Sequence, residues 1–186
     1  FDPLTDGRLP EGTAGLYVGG GFPQVHAADL SANAALRGHV RDAIGAGLPT
    51  VAECAGLLYL CESVDGTPMT GALPLLGAMT PQLTLGYRDA IAGADTLLAR
   101  AGERVRAHEF HRTAVGPLDG PAGWGEDDAD PAWDLDPAWL LHGRPDGVSA
   151  DPAGAGRPSV HASYLHLHWA GYPQLARRFV TAARAF

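Results

Sequence analysis

The stretch TVAECAGLLYL (residues 50–60) decides the fold, because an apolar run meets a turn of small residues and then resumes as a second apolar run. It predicts a buried strand over 48–52, a tight turn over 53–56 and a helix over 57–62. In a strand–turn–helix of this kind, a side chain in the turn stands at the carboxyl end of the sheet and at the start of a helix. The turn contains Cys54, so the stretch predicts a nucleophile elbow.

Cys54 has two alternative roles in this turn. Oriented backbone N–H groups and the helix dipole would stabilise a thiolate there, and the N–H of Ala55 would point at a developing oxyanion. The alternative is a buried core thiol, since free cysteine is among the most often buried residue types. The second cysteine, Cys61, lies one helical repeat later and is interpreted as core.

The residues before the elbow complete an alternation of strands and helices. Residues 14–18 are an apolar run of strand length, and residues 31–46 have helical periodicity, with Ser31 or Asn33 as candidate N-caps. Strand, helix, strand and helix in this order predict an α/β fold with a parallel sheet.

A triple glycine, Gly19-Gly20-Gly21, follows the first predicted strand directly. Such a loop leaves bare N–H groups at the carboxyl end of a sheet, where they could provide a second oxyanion donor or hold a substrate carboxylate. The alternative, which an isolated triple glycine favours, is a sharp turn that needs positive φ.

The pattern changes after residue 73. Residues 82–87 and 105–113 are typical of strands, and residues 116–137 are so dense in Pro, Gly and Asp that they predict a long acidic loop. Residues 159–165 predict another strand, and a final helix begins at Pro173. The apolar face predicted for that helix consists of Leu175, Phe179, Ala183 and Phe186.

Six of the eight histidines lie between His108 and His168. His166 and His168 share a face if the last strand continues, so one could be the base for Cys54 and the other its orienting partner. A zinc site of His108, His111, His166 and His168 is disfavoured, because H-E-F-H is not the H-E-x-x-H helix motif, and no metal is expected. A hydrogen-bonded structural role is the default for either histidine alone.

Length and charge restrict the function further. The chain has 186 residues, enough for one domain with a substantial core, and 21 acidic against 13 basic side chains give a formal net charge of −8. All 13 basic residues are scattered arginines, which argues against nucleic-acid binding. Two cysteines without a disulfide framework indicate a reducing cytoplasm, and no apolar run is long enough to predict a membrane span.

The sequence contains no lysine, which excludes the G-x-x-x-x-G-K-[ST] phosphate loop from it. An ATP-dependent reaction would therefore need a partner or a further segment. Residues 1–13 are rich in Pro, Gly and Asp and are interpreted as a linker or an entry loop.

Five motifs occur in one order along the chain and together resemble a known family. They are GGGFPQVHAADLSAN (19–33), AECAGLLYL (52–60), LGYR (85–88), AHEFHRT (107–113) and HASYLHLHW (161–169). The set resembles the C-terminal glutaminase domain of the cobyrinic and hydrogenobyrinic acid a,c-diamide synthases. These enzymes form the cobalamin-biosynthesis branch of the class I, triad-type glutamine amidotransferases.

The resemblance implies a flavodoxin-like α/β domain with a mostly parallel central sheet flanked by helices. It implies that residues 11–186 hydrolyse glutamine and that the ammonia passes to an N-terminal synthetase domain, to which residues 1–10 are the linker. That synthetase domain would hold ATP, Mg²⁺ and the corrin substrate, whose a and c carboxylates it activates, so no cofactor is expected in this chain. A homodimer is compatible with this organisation.

The resemblance also implies roles for individual residues. By position in the motifs, Cys54 is the nucleophile that forms a γ-glutamyl thioester, and His166 activates it. Ala55 and either Gly20 or Gly21 would form the oxyanion hole.

The motif around His166 departs from the usual class I pattern. Class I amidotransferases usually carry His-x-Glu, whereas the second residue after His166 is His168. The synthase branch is similar in lacking this carboxylate, so the third catalytic role falls to His168, Glu53 or Glu109, or to no residue. Since a missing carboxylate leaves the imidazolium less stabilised, slow glutaminase activity is expected from the isolated domain.

Other functions fit parts of the same sequence. The related candidates are the glutaminase of cobyric acid synthase or of a cell-wall amidotransferase. From other classes, the candidates are a non-catalytic regulatory or partner-binding domain of the same fold and a stand-alone cysteine hydrolase. The segment 108–111 would either face the synthetase domain or the ammonia route, or form an edge strand with satisfied side chains.

Overall fold

A computed structural model describes residues 1–118 and 135–186 of the chain. The strands are β1 (Leu16–Val18), β2 (Thr50–Glu53), β3 (Ser63–Val64), β4 (Thr67–Pro68), β5 (Leu75–Ile91), β6 (Arg104–Pro117), β7 (Trp139–Leu141), β8 (Arg144–Asp146), β9 (Val148–Ala150) and β10 (Val160–Ser163). The helices are α1 (Ala27–Ala32), α2 (Ala34–Gly45), α3 (Ala55–Leu60) and α4 (Pro173–Ala185).

The central sheet has the strand order β1-β2-β10-β9. β1 and β10 run parallel to β2 on its two sides, and β9 pairs antiparallel with β10. Every residue of β2 and β10 is buried, and α2 places Leu36, Val40 and Ile44 in the same apolar core. Burial on both faces is typical of parallel strands covered by helices. The predicted α/β fold with a mostly parallel central sheet is therefore confirmed.

The helix predicted over 31–46 corresponds to α2, with its first two predicted residues at the end of α1, because the chain leaves the helical conformation at Asn33. Asn33 Oδ1 accepts a hydrogen bond from the Leu36 N–H at 3.3 Å and caps α2, as predicted for one of the two candidate residues. Its Nδ2 donates to the carbonyl oxygens of Pro3 and Asp6 at 3.0 and 2.8 Å. The other candidate cap, Ser31, lies inside α1. One asparagine thus starts a helix and binds the N-terminal segment to it.

The elbow has a shorter turn than predicted. Glu53, predicted in the turn, is the last residue of β2, and α3 begins already at Ala55 and ends at Leu60. Cys61 follows α3 and is fully buried, as predicted for a core residue. Only Cys54 is left between strand and helix.

A second sheet contains the long hairpin of β5 and β6. Its order is β4-β3-β5-β7-β8, with β6 paired to β5, and all pairings except that of β3 with β5 are antiparallel. The strands predicted at 82–87 and 105–113 lie within β5 and β6, and both strands are longer than predicted. An isolated bridge between His108 and His166 connects β6 to the segment that follows β10. The hairpin is therefore attached to the carboxyl end of the central sheet.

The last strand and the last helix agree with their predictions in part. The last strand ends at Ser163, short of the predicted Leu165. Helix α4 begins at Pro173 and buries Leu175, but Phe186 follows its last residue and is exposed, so Phe186 was wrongly assigned to the buried face.

The acidic loop predicted over 116–137 lies largely outside the described residues. On its N-terminal side the prediction is wrong for Gly116 and Pro117, which belong to β6. On its C-terminal side Asp136 forms a bridge with Ser149 of β9. Across residues 1–118 and 135–186, no helix combines the length and the apolar character needed to cross a bilayer.

Candidate active site

Cys54 occupies a strained position at the junction of β2 and α3. Its φ is 52°, a left-handed value that is uncommon for any residue with a Cβ. A Cβ added to Gly56, two residues later, would collide with the carbonyl oxygen of Val18 on β1, so the turn can pass the neighbouring strand only with glycine there. Strained backbone of this kind concentrates at active sites, where the surrounding structure holds it in place.

Three backbone groups surround the Cys54 sulfur. The thiol donates to the carbonyl oxygen of Phe110 on β6, with the sulfur 3.6 Å from that oxygen. Burial raises the pKa of Cys54, hydrogen bonds from the N–H groups of Ala55 and Gly21 lower it, and the charge of Glu53 raises it further. The net shift is upward, so the resting group is a thiol that needs a base.

His166 lies beside the elbow on the segment that follows β10. Its backbone exchanges two hydrogen bonds with His108, at 3.1 and 2.8 Å, which fix the segment against β6. Its ring packs against Gly20, where an added Cβ would collide with His166 Cε1. Burial lowers the pKa of His166, and the neighbouring His108 and His111 lower it further. A neutral imidazole at pH 7 is the form that accepts a proton.

Among the residues that the structure describes, Glu53 is the one whose carboxylate lies within 4.0 Å of this imidazole. Its Oε2 lies 4.0 Å from His166 Nδ1 and accepts a hydrogen bond from the Tyr17 hydroxyl at 2.9 Å. Its Oε1 accepts from the Leu167 N–H at 3.3 Å. Burial raises the pKa of Glu53, and the hydrogen bonds from Tyr17 and Leu167 only partly offset this effect. The charge of Glu53 in turn adds to burial in raising the pKa of Tyr17 to about 12.

The other two candidates for the third catalytic role lie elsewhere. His168 is exposed and lines an outer pocket with Tyr87 and Arg106, and it is not brought beside the sulfur. Glu109 is buried on β6, where its carboxylate contacts Arg88 and His111 rather than His166.

The contacts of Glu109 form a charged network that the sequence patterns did not predict. Arg88 Nε donates to Glu109 Oε2 at 2.7 Å, and His111 Nε2 lies 2.8 Å from Glu109 Oε1. His111 Nδ1 lies 2.7 Å from the carbonyl oxygen of Thr113, so both ring nitrogens lie at hydrogen-bond distance from an oxygen atom. Burial alone would raise the pKa of Glu109, but the hydrogen bonds and charges of His111 and Arg88 outweigh it and the pKa is lowered.

A cavity of about 130 Å³ opens at Cys54 between the glycine loop and β6. Its walls are apolar at Leu58 and Phe110 and polar at His111 and Arg112. Gly21 lines the cavity, whereas Gly20 faces the imidazole of His166. The cavity can therefore hold a small molecule with a polar end and a reactive group beside the sulfur.

The four histidines considered for zinc are distributed over different contacts. His108 and His166 have ring centroids 6.3 Å apart, and His111 stacks on Tyr164 at 3.7 Å. Among the residues that the structure describes, no group of three or more His, Cys, Asp or Glu side chains is arranged to hold a metal ion.

Most of the chain is similar to a known protein family. Residues 1–174 match a family described as the CobB/CobQ-like glutamine amidotransferase domain. The chain is 58% identical over 182 residues to hydrogenobyrinate a,c-diamide synthase of Thermobifida fusca, covering 98% of this chain and 36% of that protein. It is 40% identical over 189 residues to cobyrinate a,c-diamide synthase of Synechococcus, covering 99% and 38%. The chain thus spans about a third of the length of these curated relatives, and the predicted resemblance is confirmed.

Solved structures share the fold at low sequence identity. A crystal structure titled as a glutamine amidotransferase has a TM-score of 0.61 at 21% identity, covering 94% of this chain and 81% of that one. The structure of PurLQS from Thermotoga maritima has a TM-score of 0.60 at 14% identity, covering 98% and 82%. The predicted class I amidotransferase fold is confirmed by these similarities.

Proposed function

The chain belongs to the CobB/CobQ-like glutamine amidotransferase domain family, and on that premise we propose that it hydrolyses glutamine through a thioester on Cys54. The observation that carries the proposal is the placement of this cysteine. It stands alone between β2 and α3 at φ 52° and lines an open cavity, and hydrogen bonds from the Ala55 and Gly21 N–H groups partly offset the rise of its pKa.

The first chemical step forms a bond between sulfur and carbon. His166 accepts the thiol proton of Cys54 as the sulfur attacks the side-chain amide carbon of glutamine, and a tetrahedral oxyanion results. His166 then gives its proton to the amide nitrogen, the carbon–nitrogen bond breaks, and ammonia leaves a γ-glutamyl thioester. In the second half, His166 takes a proton from water, the hydroxide attacks the thioester, and the proton returns to sulfur as glutamate is released.

Ala55 and Gly21 are the proposed oxyanion donors. Hydrogen bonds from their N–H groups act to lower the pKa of Cys54, which favours them as donors to the oxygen of a carbon bonded to the sulfur. Gly20, the other predicted donor, is proposed to act differently, because its missing side chain leaves the space that the His166 ring occupies.

Glu53 is the proposed orienting residue for His166, in place of His168. Glu53 is buried, it is held by two hydrogen bonds, and its carboxylate lies 4.0 Å from His166 Nδ1. A carboxylate there fixes the ring tautomer and stabilises the imidazolium formed during the reaction. The distance exceeds that of a hydrogen bond, so on this proposal the ring moves toward Glu53 during turnover, and slow hydrolysis by the isolated domain is the expected result.

The polar end of the cavity is proposed to bind the backbone end of glutamine. Arg112 lines the cavity, and His111 next to it is held between Glu109 and Thr113. A guanidinium group at this end attracts the α-carboxylate, while the side-chain amide reaches Cys54. A positive charge at this end of the cavity would select glutamine over amides that lack a carboxylate.

The ammonia is proposed to serve amidation of a corrin. The curated relatives are named as a,c-diamide synthases of hydrogenobyrinate and cobyrinate, and this chain matches about a third of their length. On this proposal residues 11–186 are the glutaminase domain, residues 1–10 are the linker, and the rest of the enzyme holds ATP, Mg²⁺ and the corrin in the cytoplasm.

A non-catalytic domain of the same fold is the alternative, which the raised pKa of Cys54 favours.

Covalent labelling by a glutamine-analogue electrophile separates the two functions. Cys61 is a matched internal control, because it is fully buried and burial raises its pKa to about 12. The proposal predicts that peptide mapping by mass spectrometry finds the label on Cys54, that Cys61 stays unmodified, and that excess glutamine slows the reaction. Labelling of neither cysteine, or labelling that glutamine does not slow, would favour the non-catalytic domain.

A further inference from the structure

One face of the β5–β6 hairpin is largely exposed to solvent. Along β6 from Arg104 to Arg112, residues alternate between exposed or half-exposed positions and more deeply buried ones. We call its solvent side the outer hairpin face, which consists of Leu85, Tyr87 and Asp89 on β5 and Arg104, Arg106, His108, Phe110 and Arg112 on β6.

The centre of the outer hairpin face is apolar and aromatic. Leu85 pairs with Phe110 and Tyr87 pairs with His108 in the strand register. The exposed fractions of Leu85, Phe110 and Tyr87 are 55%, 41% and 71%. Exposed Leu83 lies two residues before Leu85 and extends the patch toward the Cys54 cavity. Single exposed apolar side chains are common, but a contiguous group on one strand pair marks an interaction surface.

The rim of the face has a charge opposite to that of the chain. Three arginines and one aspartate give the face a net charge of +2, although the chain as a whole carries −8. Arg106 lies with its guanidinium carbon 5.9 Å from the centroid of the Tyr87 ring, and its Nε lies 3.8 Å from Asp89. Aromatic and arginine side chains around an apolar centre are the composition of binding hot spots.

The face is continuous with the candidate active site. The Phe110 carbonyl oxygen accepts the Cys54 thiol hydrogen bond, and Phe110 and Arg112 line the cavity. The backbone of His108 is bonded to that of His166 in both directions. A partner on this face would therefore lie over the cavity entrance and contact the strand that positions both catalytic candidates.

We propose that the outer hairpin face is the docking surface for the part of the enzyme that this chain does not contain, which presents an apolar patch rimmed by carboxylates. The inference rests on the proposed function, because ammonia released into water is protonated and lost as a nucleophile unless the acceptor site covers its exit. The chain matches 36% of the Thermobifida fusca relative, so nearly two-thirds of such an enzyme is available as the occupant. A second copy of this chain is the competing occupant.

Hydroxyl-radical footprinting tests the surface without a mutation. The two samples are this chain alone and the full-length Thermobifida fusca relative in which the matching 182 residues are replaced by this chain. Oxidation of Leu85, Tyr87 and Phe110 should fall at least about fivefold in the full-length protein, while exposed Val180 on α4 keeps its rate. Unchanged oxidation of these three residues would overturn the proposal. Protection that appears in the chain alone as its concentration rises would assign the face to a second copy instead.

A charge introduced at the centre of the face tests its role in transfer. In the full-length protein, Tyr87→Glu should reduce glutamine-supported amidation about tenfold, while amidation supported by an ammonium salt and glutamate release stay unchanged. Val180→Glu is the matched control and should change none of the three rates. If Tyr87→Glu left glutamine-supported amidation intact, docking would not occur here. Failure of the proposed function is distinguishable, since it would abolish glutamate release with the outer hairpin face still protected.

Discussion

The elbow of the central sheet and the β5–β6 hairpin each bury one carboxyl group beside the candidate active site. Glu53, at the end of β2, has only neutral donors in Tyr17 and the Leu167 N–H, and burial raises its pKa. Glu109, on β6, contacts Arg88 and His111, and these outweigh burial and lower its pKa. Both side chains are buried, yet their pKa values shift in opposite directions, because a cation contacts Glu109 and none contacts Glu53 at hydrogen-bond distance among the described residues.

Glu53 and Glu109 therefore contribute to the candidate active site in different ways. The elbow is built from buried strands, and its carboxyl group is left without a fixed cation, so the imidazolium of His166 would be the cation that it stabilises. The hairpin neutralises its carboxyl internally and uses it to hold His111 at the cavity wall. We expect changes to the polar side chains of the elbow to affect chemistry most and changes to the polar side chains of the hairpin to affect stability and docking.

The largest expected effect is that of removing the proposed base. His166→Ala should reduce kcat for glutamine hydrolysis by about 10³-fold, because it removes the proposed acceptor of the Cys54 thiol proton. His168→Ala is the matched control and should stay within about threefold of the wild type, since His168 is exposed in a separate pocket. Equal losses in the two variants would restore His168 as the orienting partner.

The next largest effect concerns the backbone of the elbow. Gly56→Ala should lower the free energy of unfolding by about 3 kcal/mol, because the new Cβ meets the carbonyl oxygen of Val18. Gly38→Ala in α2 is the control, with open space around the position, and should raise stability by about 0.5 to 1 kcal/mol. Urea unfolding followed by circular dichroism measures both changes. A neutral Gly56→Ala would mean that the elbow is not held against β1.

A smaller effect is expected from the orienting carboxylate. Glu53→Gln should reduce kcat about 10- to 100-fold with little change in KM, because the amide keeps the shape but cannot stabilise the imidazolium. Tyr17→Phe removes one hydrogen bond to Glu53 and should reduce kcat only a few-fold. Steady-state glutamate release gives both constants. A Glu53→Gln variant with wild-type kcat would show that no carboxylate fills the third role.

The smallest effect is the pH dependence of stability, which compares the two carboxyl groups directly. Glu109 has a lowered pKa in the folded protein. Its ionised carboxylate therefore adds to the free energy of unfolding at pH values above 4.5, the pKa of the unfolded chain, and this contribution is lost as the pH falls through the lowered pKa. Glu109→Gln should therefore be about 1 kcal/mol less stable than the wild type at neutral pH, and the deficit should shrink in acid. Glu53 has a raised pKa, so its contribution is lost as the pH rises, and Glu53→Gln should gain relative stability with rising pH.

Unfolding midpoints in urea, measured across the acidic and neutral range, test this pair. If the stabilities of the two variants relative to the wild type changed with pH in the same direction, the opposite pKa shifts of Glu53 and Glu109 would be contradicted. A curve for Glu109→Gln that rises with pH relative to the wild type would contradict the role of Arg88 and His111 in particular.

The elbow was predictable from sequence because its parts are contiguous. Strand, nucleophile and small residues lie within residues 50–60, and local pattern alone indicates their order. The exact limits were not predictable, since the positive φ of Cys54 allows β2 to continue through Glu53 and α3 to begin at once. The N-cap at Asn33 was among the predicted alternatives, but its bonds to Pro3 and Asp6 depend on tertiary contacts.

The hairpin network was not predictable, because it depends on strand register. Arg88 and Glu109 are 21 positions apart and meet because β5 and β6 pair in the register that sets Arg88 opposite Ala107 and Gly86 opposite Glu109. A shift by one residue would turn either side chain to the opposite face. Glu53 was among the named candidates for the third catalytic role, but its proximity to His166 depends on the path of the chain after β10.

The most direct test of the account is glutamate release from glutamine by two single-cysteine variants, both checked for folding by circular dichroism. The account predicts that Cys54→Ala releases no glutamate above the rate without protein, whereas Cys61→Ala, which alters a fully buried core residue, keeps the wild-type rate. Glutamate release by a folded Cys54→Ala variant would contradict the proposal that the elbow of the central sheet supplies the nucleophile.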